Sequence, residues 1–93
     1  SKFEMKKSFM LTISGRVQNV GFRYSAHKKA KELNICGSVK NLSNGSVFIE
    51  AEAEEGNLEL FVAWCHNGPS WANVRKVEIQ VSPLMNPKDF IIK

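Results

Sequence analysis

The spacing of the apolar residues switches along this chain between the two-residue repeat of a strand and the longer repeat of a helix, which limits the possible folds. Residues 9–13 alternate between apolar and other side chains, which predicts a strand with one buried face that stops at Gly15. A helical stripe then begins at Phe22, and Asn34 is suited to end it. That stripe consists of Phe22, Ala26, Ala30 and Leu33. The first third of the chain is therefore predicted to be a strand, a loop and a helix.

The same switch recurs in the rest of the chain. Residues 36–42 are a second strand candidate, closed by Asn44-Gly45, a pair typical of tight hairpins. The third strand has a largely acidic face and an apolar face, the latter made of Val47, Ile49, Ala51 and Ala53. A second helix that ends at Asn67-Gly68-Pro69 is predicted from Leu58, Phe61, Val62 and Cys65. Residues 77–81 alternate again, and residues 90–92 are predicted to be a short final strand.

The order βαββαβ, with a tight turn between the second and third strands, predicts an α+β fold of the ferredoxin-like split-βαβ type. In this sandwich an antiparallel sheet carries both helices on one face. Because 93 residues suit one domain, we expect a single domain over residues 1–93. Residues 1–7 are expected to form a loose N-terminal extension, part of it an addition ahead of a natural start at Met5. Right-handed crossovers would place the loop after the first strand beside the second strand.

Charge is distributed unevenly along the chain. The net charge is +4, most of the 13 lysines and arginines lie in the first 31 positions, and most of the nine acidic residues lie in positions 50–59. One end of the molecule is therefore expected to attract anions. Two solvated faces of opposite sign explain the same pattern, and the charges alone favour this simpler explanation.

Several absences in the sequence narrow the function class. No apolar stretch approaches the roughly 20 residues of a spanning helix, and no signal peptide is visible, so we expect a cytoplasmic protein with no membrane partner. Cys36 and Cys65 have no CxxC spacing and are expected to be free thiols. His27 and His66 lack partners at metal-ligand spacing and are expected to be surface residues. No exposed apolar stripe is evident, which favours a monomer.

The segment from Gly15 to Arg23 joins a strand end to a helix start, and this is where the sequence suggests chemistry. Unpaired backbone N–H groups and the positive end of the helix dipole can converge there on one anion. Arg23, in the first turn of the helix, can grip two phosphate oxygens with its planar guanidinium. From the glycine and arginine spacing alone, an ordinary connection with Arg23 in solvent is the more frequent explanation.

The residues Gly15 to Arg23 read Gly-Arg-Val-Gln-Asn-Val-Gly-Phe-Arg. This string resembles the acylphosphatase signature, Gly-Arg/Lys-Val-Gln-Gly-Val-x-Phe-Arg, at every fixed position except Asn19. Residues 37–41 resemble the second motif of that family, Gly-aromatic-Val-basic-Asn, and residues 44–47 match the hairpin after it. Residues 68–74 are similar to the family's Gly-Pro…Ala-x-Val segment. The resemblance extends from Met10 to Ile92 and implies an acylphosphatase, a small single-domain hydrolase of carboxyl-phosphate anhydrides.

The resemblance also implies roles for particular residues. Arg23 would bind the phosphoryl oxygens together with backbone N–H groups of the loop, and Asn41 would position the attacking water. The loop residues concerned are Gln18, Asn19, Val20, Gly21 and Phe22. Substrate and products would be a small acyl phosphate, a carboxylate and inorganic phosphate, with no metal. A carboxylate leaves as a stable anion and needs no general acid, since its conjugate acid has a pKa of about 4. Simple phosphate monoesters are expected to be slow substrates for the same reason.

Two residues depart from the family pattern. Asn19 replaces a glycine, and asparagine is the least costly non-glycine residue if that position needs a positive φ. Ser38 stands where the family has an aromatic residue, a change expected to loosen packing around Asn41. A catalytically weakened domain of this fold that binds an anion or a partner is therefore the alternative function, although Arg23 and Asn41 are intact.

An RNA-binding module of the same topology is a further alternative, because the chain is basic. Such modules use aromatic and basic residues on the third strand of the sheet. Here Phe48 is accompanied by Glu50, Glu52 and Glu54, which repel phosphates. We therefore expect no nucleic-acid partner.

Overall fold

The computed structural model describes residues 5–93 of the chain. Its elements are β1 (Lys6–Arg16), α1 (Phe22–Glu32), β2 (Cys36–Asn41), β3 (Val47–Glu54), α2 (Glu55–Cys65), β4 (Asn73–Ser82) and β5 (Phe90–Ile92). The expected loose extension over residues 1–7 is wrong for residues 5–7, because Lys6 and Lys7 pair with the end of β3 and the Met5 carbonyl accepts a hydrogen bond from the Glu55 N–H at 3.0 Å. The rest of that expectation, residues 1–4, lies outside the described residues.

The five strands form one sheet in the order β4-β1-β3-β2-β5. The pairs β1–β3, β1–β4 and β2–β3 are antiparallel, whereas β5 runs parallel to β2. The sheet is therefore mixed, and the expectation of a purely antiparallel sheet is corrected at this edge. The predicted α+β, ferredoxin-like sandwich is otherwise confirmed, with α2 on β1 and β3 and α1 on β2 and β5.

The core lies between the two helices and one face of the sheet. Three residues of the predicted α1 stripe, Phe22, Ala26 and Ala30, are fully buried, and Leu33 packs against them. Phe61 of α2 contacts Phe90 of β5 edge to face, with ring centroids 6.1 Å apart. Burial of such apolar faces contributes most of the stability of a domain this size.

Local signals set most of the element ends. Asn34 has a left-handed φ of 56°, and the Ile35 N–H donates a hydrogen bond to the Ala30 carbonyl at 2.8 Å. The helix α1 therefore ends where Asn34 led us to expect. β1 continues past its predicted stop at Gly15 to Arg16, through a bulge opposite β4. A Cβ at Gly15 would collide with the Asn73 carbonyl oxygen, so the glycine permits the close approach of the two strands.

β4 departs most from its sequence pattern. Its alternation predicts an apolar face buried along Val77, Ile79 and Val81, but Ile79 and Val81 are exposed. β4 is an edge strand, and α2 packs on β1 and β3 rather than on β4. Alternation therefore identified the strand, and the position of the strand in the sheet decided its burial.

The helix-free face of the sheet is partly covered by the chain between β4 and β5. The Glu52 carboxylate, on this face of β3, accepts the backbone N–H groups of Met85 at 2.8 Å and Asn86 at 2.9 Å. Glu52 is buried as a result, although its acidic strand face predicted exposure. Beneath this segment lies a cavity of about 180 Å³, lined in part by Ser38 and Ile91.

Replacing Ser38 by tyrosine is expected to raise the free energy of unfolding by about 0.5–2 kcal/mol, the usual range for filling a cavity. Ser38 is buried against this cavity, and an aromatic ring would occupy the space between Met85 and Ile91. Urea unfolding measures the change, with Ser70→Tyr as the control at an exposed position. A loss of stability in Ser38→Tyr would mean that the cavity is too small or too rigid for the ring.

Candidate active site

The topology brings the end of β1 and the end of β2 to one edge of the sheet. Both strands pair antiparallel with β3, so they run in the same direction and finish at the same edge. The loop of residues 17–21 follows β1, and Asn41 is the last residue of β2. Two segments separated by the whole of α1 therefore meet at one place.

The loop has a backbone conformation suited to holding an anion. Asn19 has a φ of 61° and Gly21 a φ of 78°, whereas the residues between and beside them have negative φ. Alternation of this kind curves the chain so that successive N–H groups point into one concavity. The expectation that Asn19 serves at a positive-φ position is thus met by its observed φ.

The N-terminus of α1 adds positive potential at the same place. The Gly21 carbonyl accepts the first helical bond from the Ser25 N–H at 3.0 Å, so the N–H groups of Phe22, Arg23 and Tyr24 have no acceptor within the helix. No acidic residue occupies the first turn and no side chain caps it. The positive end of the helix dipole is therefore left uncompensated by the chain around it.

Arg23 and Asn41 line one open cavity of about 230 Å³ at this edge. The other residues that line it are Val17, Asn19, Gly21, Phe22, Tyr24 and Ile92. Among the described residues, no acidic side chain contributes to its wall. The Arg23 Nη1 atom donates to the main-chain oxygen of Lys93 at 3.3 Å, a long and exposed hydrogen bond. Within residues 5–93 the cavity therefore combines a guanidinium and a helix N-terminus with no acidic side chain on its wall.

The side-chain oxygen of Asn41 is the unusual atom of this site. Oδ1 is fully buried and has no hydrogen-bond partner within residues 5–93. A buried acceptor without a partner costs about 1–3 kcal/mol, so such atoms in folded proteins call for an explanation. A bound water molecule or substrate group that donates to Oδ1 would remove this cost.

Two of the predicted loop residues do not line the cavity. Val20 packs against the core. The Gln18 side chain turns away from the site, and its Nε2 donates to the Leu42 carbonyl at 2.7 Å and the Ser46 carbonyl at 2.9 Å. Gln18 thus ties the loop to the β2–β3 hairpin, directly beside Asn41. Sequence reasoning considered only its backbone N–H and missed this contact, as it missed Tyr24 and Ile92.

Replacing Gln18 by glutamate is expected to lower the free energy of unfolding by about 1–3 kcal/mol. A carboxylate cannot donate, so two partly buried carbonyls would lose their partner and face a negative charge. Gln80→Glu, the same change at an exposed position of β4, is the matched control. Equal urea midpoints for the two variants would show that the Gln18 bridge contributes nothing.

Other chemistry-bearing groups stand apart from this cavity. Cys36 and Cys65 are free thiols, as expected, and burial raises the pKa of the Cys65 thiol well above its usual range, so it stays protonated. Within the described part of the chain, no three His, Cys, Asp or Glu side chains form a group that could hold a metal ion. Between residues 5 and 93 no helix has the length and apolar character needed to span a bilayer.

Comparison with known proteins identifies the family of this chain. The family model of the acylphosphatases matches residues 9–92. An acylphosphatase of Archaeoglobus fulgidus is 45% identical over 78 residues, which cover 84% of this chain and 88% of that protein. An acylphosphatase of Synechococcus is 42% identical over 80 residues, 86% of this chain and 89% of that protein.

A solved structure leads to the same family. The structure of an acylphosphatase from Coxiella burnetii superposes with a TM-score of 0.93 at 34% identity and covers 100% of both chains. The chain therefore belongs to the acylphosphatase family. It is a hydrolase that acts on acyl phosphates, which confirms the enzyme class implied by its motifs.

Proposed function

We propose that the cavity between the loop of residues 17–21 and Asn41 is the site of this hydrolysis, with Arg23 and Asn41 as catalytic residues. The observation that carries the proposal is that Arg23 and Asn41 line one cavity, and that the buried Asn41 Oδ1 has no hydrogen-bond partner within residues 5–93. An acceptor without a partner beside a cation suits a reaction between a water molecule and an anion.

The phosphoryl group binds in the concavity of the loop. Its oxygens accept hydrogen bonds from backbone N–H groups of residues 18–22 and from Arg23, which within residues 5–93 donates a hydrogen bond to the Lys93 main-chain oxygen at 3.3 Å. A phosphoryl oxygen can approach the guanidinium to about 2.7–2.9 Å, so it displaces this longer contact. The uncompensated α1 dipole adds to the attraction.

The attacking water donates one O–H to Asn41 Oδ1. This bond orients the water's lone pair toward phosphorus, and it pairs the buried oxygen. A bond then forms between the water oxygen and phosphorus while the bond from phosphorus to the acyl oxygen breaks. The water's proton passes to a phosphoryl oxygen, and the acyl group leaves as a carboxylate. Holding both reactants in place removes much of the entropic barrier.

Among residues 5–93, no Asp, Glu, His, Lys or Cys side chain lines the cavity, and the chemistry requires no general acid or base. The carboxylate leaves as a weak base, so it needs no proton from the protein. Phosphoryl transfer through a loose transition state depends mainly on positioning and on stabilising charge. One guanidinium, a set of N–H donors and an oriented water supply both.

Hydrolysis of benzoyl phosphate in the presence of a metal chelator tests the proposal, with an alkyl phosphate monoester as the comparison substrate. We expect turnover of the acyl phosphate that the chelator does not change, and slow turnover of the monoester. Equal turnover of both substrates would contradict the leaving-group argument. A protein that binds phosphate without turnover would instead support the alternative, a weakened anion-binding domain.

The remaining expectations belong to the same proposal. The expected partner is a small acyl phosphate, and no metal cofactor is expected. Sedimentation velocity tests the predicted monomer. The monomer is predicted because the sequence shows no exposed apolar stripe. In the structure, however, Ile79 and Val81 are exposed on the edge strand β4, where a second copy could pair. The cytoplasmic location is likewise a prediction.

A further inference from the structure

Two residues that line the cavity take no part in the proposed reaction. Tyr24 and Ile92 both line the cavity, and they remain 70% and 43% exposed. Tyr24 follows Arg23 in the first turn of α1. Ile92 lies on β5, paired with Val39 of β2, the strand that ends at Asn41. Two exposed apolar side chains thus border the site from two different elements.

The cavity is larger than the reacting groups require. Liquid water occupies about 30 Å³ per molecule, so the four heavy atoms of a phosphoryl group and one water need roughly 150 Å³ at most. The cavity measures about 230 Å³ and is open to solvent. Space therefore remains for part of the acyl group beside Tyr24 and Ile92.

The lining also selects among acyl groups by charge. Arg23 is the one cation on the cavity wall within residues 5–93, and it is engaged by the phosphoryl group. An acyl group with a second anionic end finds no further cation there, whereas an apolar or aromatic acyl group finds the Tyr24 ring and the Ile92 side chain. Aromatic rings gain both buried area and favourable ring geometry from such contacts.

We propose that Tyr24 and Ile92 form the acyl-group subsite and give this enzyme a preference for aromatic and branched apolar acyl phosphates over acetyl phosphate. The inference rests on the proposed function and adds the substrate class to it. Because the subsite is half open, the preference for benzoyl over acetyl phosphate is expected to be about tenfold in kcat/KM, near the low end for a hydrophobic pocket.

The test compares benzoyl and acetyl phosphate in the parent protein and in Tyr24→Ser, Tyr24→Phe and Ile92→Ser. We expect Tyr24→Ser to lower the benzoyl-to-acetyl ratio of kcat/KM about fivefold or more, mainly through KM, and Tyr24→Phe to retain the ratio. Ile92→Ser is expected to lower the ratio by a smaller factor. Trp71→Ser is the matched control, because Trp71 is an aromatic residue 76% exposed outside the cavity.

The outcomes separate the two proposals. A parent that hydrolyses both substrates, with an unchanged ratio in Tyr24→Ser and Ile92→Ser, rejects the subsite and leaves the proposed function intact. A parent inert on both substrates rejects the proposed function and with it the subsite as a catalytic feature. Binding of phenylphosphonate and methylphosphonate provides a second readout, in which equal affinities for the parent also reject the subsite.

Discussion

Replacement of Arg23 by alanine is expected to lower kcat/KM for benzoyl phosphate by about 10²–10³, the usual cost of removing one contact that stabilises transition-state charge. Arg23 is the one cationic side chain on the cavity wall among residues 5–93, and the α1 N-terminus alone cannot hold two phosphoryl oxygens in a fixed plane. Arg23→Lys retains the charge but lacks the planar pair of donors, so it is expected to recover only part of the lost kcat/KM. Steady-state hydrolysis and inhibition by inorganic phosphate measure both effects.

The Arg23 result requires a control for charge and one for folding. Lys28→Ala removes an exposed cation from the same helix outside the cavity, and is expected to leave hydrolysis within about twofold, since screened surface charges act weakly. Within the described residues, Arg23 makes one long, exposed hydrogen bond, so its alanine variant should unfold at nearly the parent's urea concentration. Near-parent turnover in a folded Arg23→Ala protein would show that the phosphoryl group binds elsewhere.

Replacement of Asn41 by alanine is expected to lower kcat by about 10²–10³ while inorganic phosphate still inhibits at nearly the parent concentration. In the proposed reaction the Asn41 side chain orients the water, whereas the loop and Arg23 bind the phosphoryl group. An interaction made with the attacking water appears in kcat, and one made with the bound anion appears in affinity. Single-turnover kinetics with phosphate inhibition separates the two.

Asn67→Ala, at an exposed position after α2, is the matched control for Asn41. We also expect the free energy of unfolding of Asn41→Ala to stay close to that of the parent. Because Oδ1 has no partner within the described residues, its removal breaks no hydrogen bond made by that atom and should not lower the free energy of unfolding by more than about 1 kcal/mol. Loss of phosphate inhibition together with turnover would assign Asn41 to anion binding instead.

Local patterns predicted most of the elements. The helical stripe of α1 is buried at Phe22, Ala26 and Ala30 because its spacing matches the helix period, and Asn34 ends the helix because asparagine tolerates a positive φ. For the same reason, Asn19 was predicted to suit a positive-φ position of the loop, and its φ is 61°. Each inference depended on neighbours a few residues apart, which is the range over which periodicity and backbone preference act.

The site was predicted in part. Arg23 and Asn41 were named through the family motifs, and the topology brings both to one cavity. The direction of the Gln18 side chain was not predictable, because its acceptors, the Leu42 and Ser46 carbonyls, belong to a hairpin far along the chain. Ile92 was missed for a similar reason, since β5 reaches the site only by pairing with β2.

The sequence by itself determined the order of strands and helices and, through its motifs, the family. Tertiary structure alone decided which elements lie at an edge and which atoms are left without partners. Ile79 is exposed because β4 is an edge strand, and Glu52 is buried because the chain returning to β5 crosses its face. Burial and hydrogen bonding depend on segments distant in the chain, and their positions follow from packing the whole sheet.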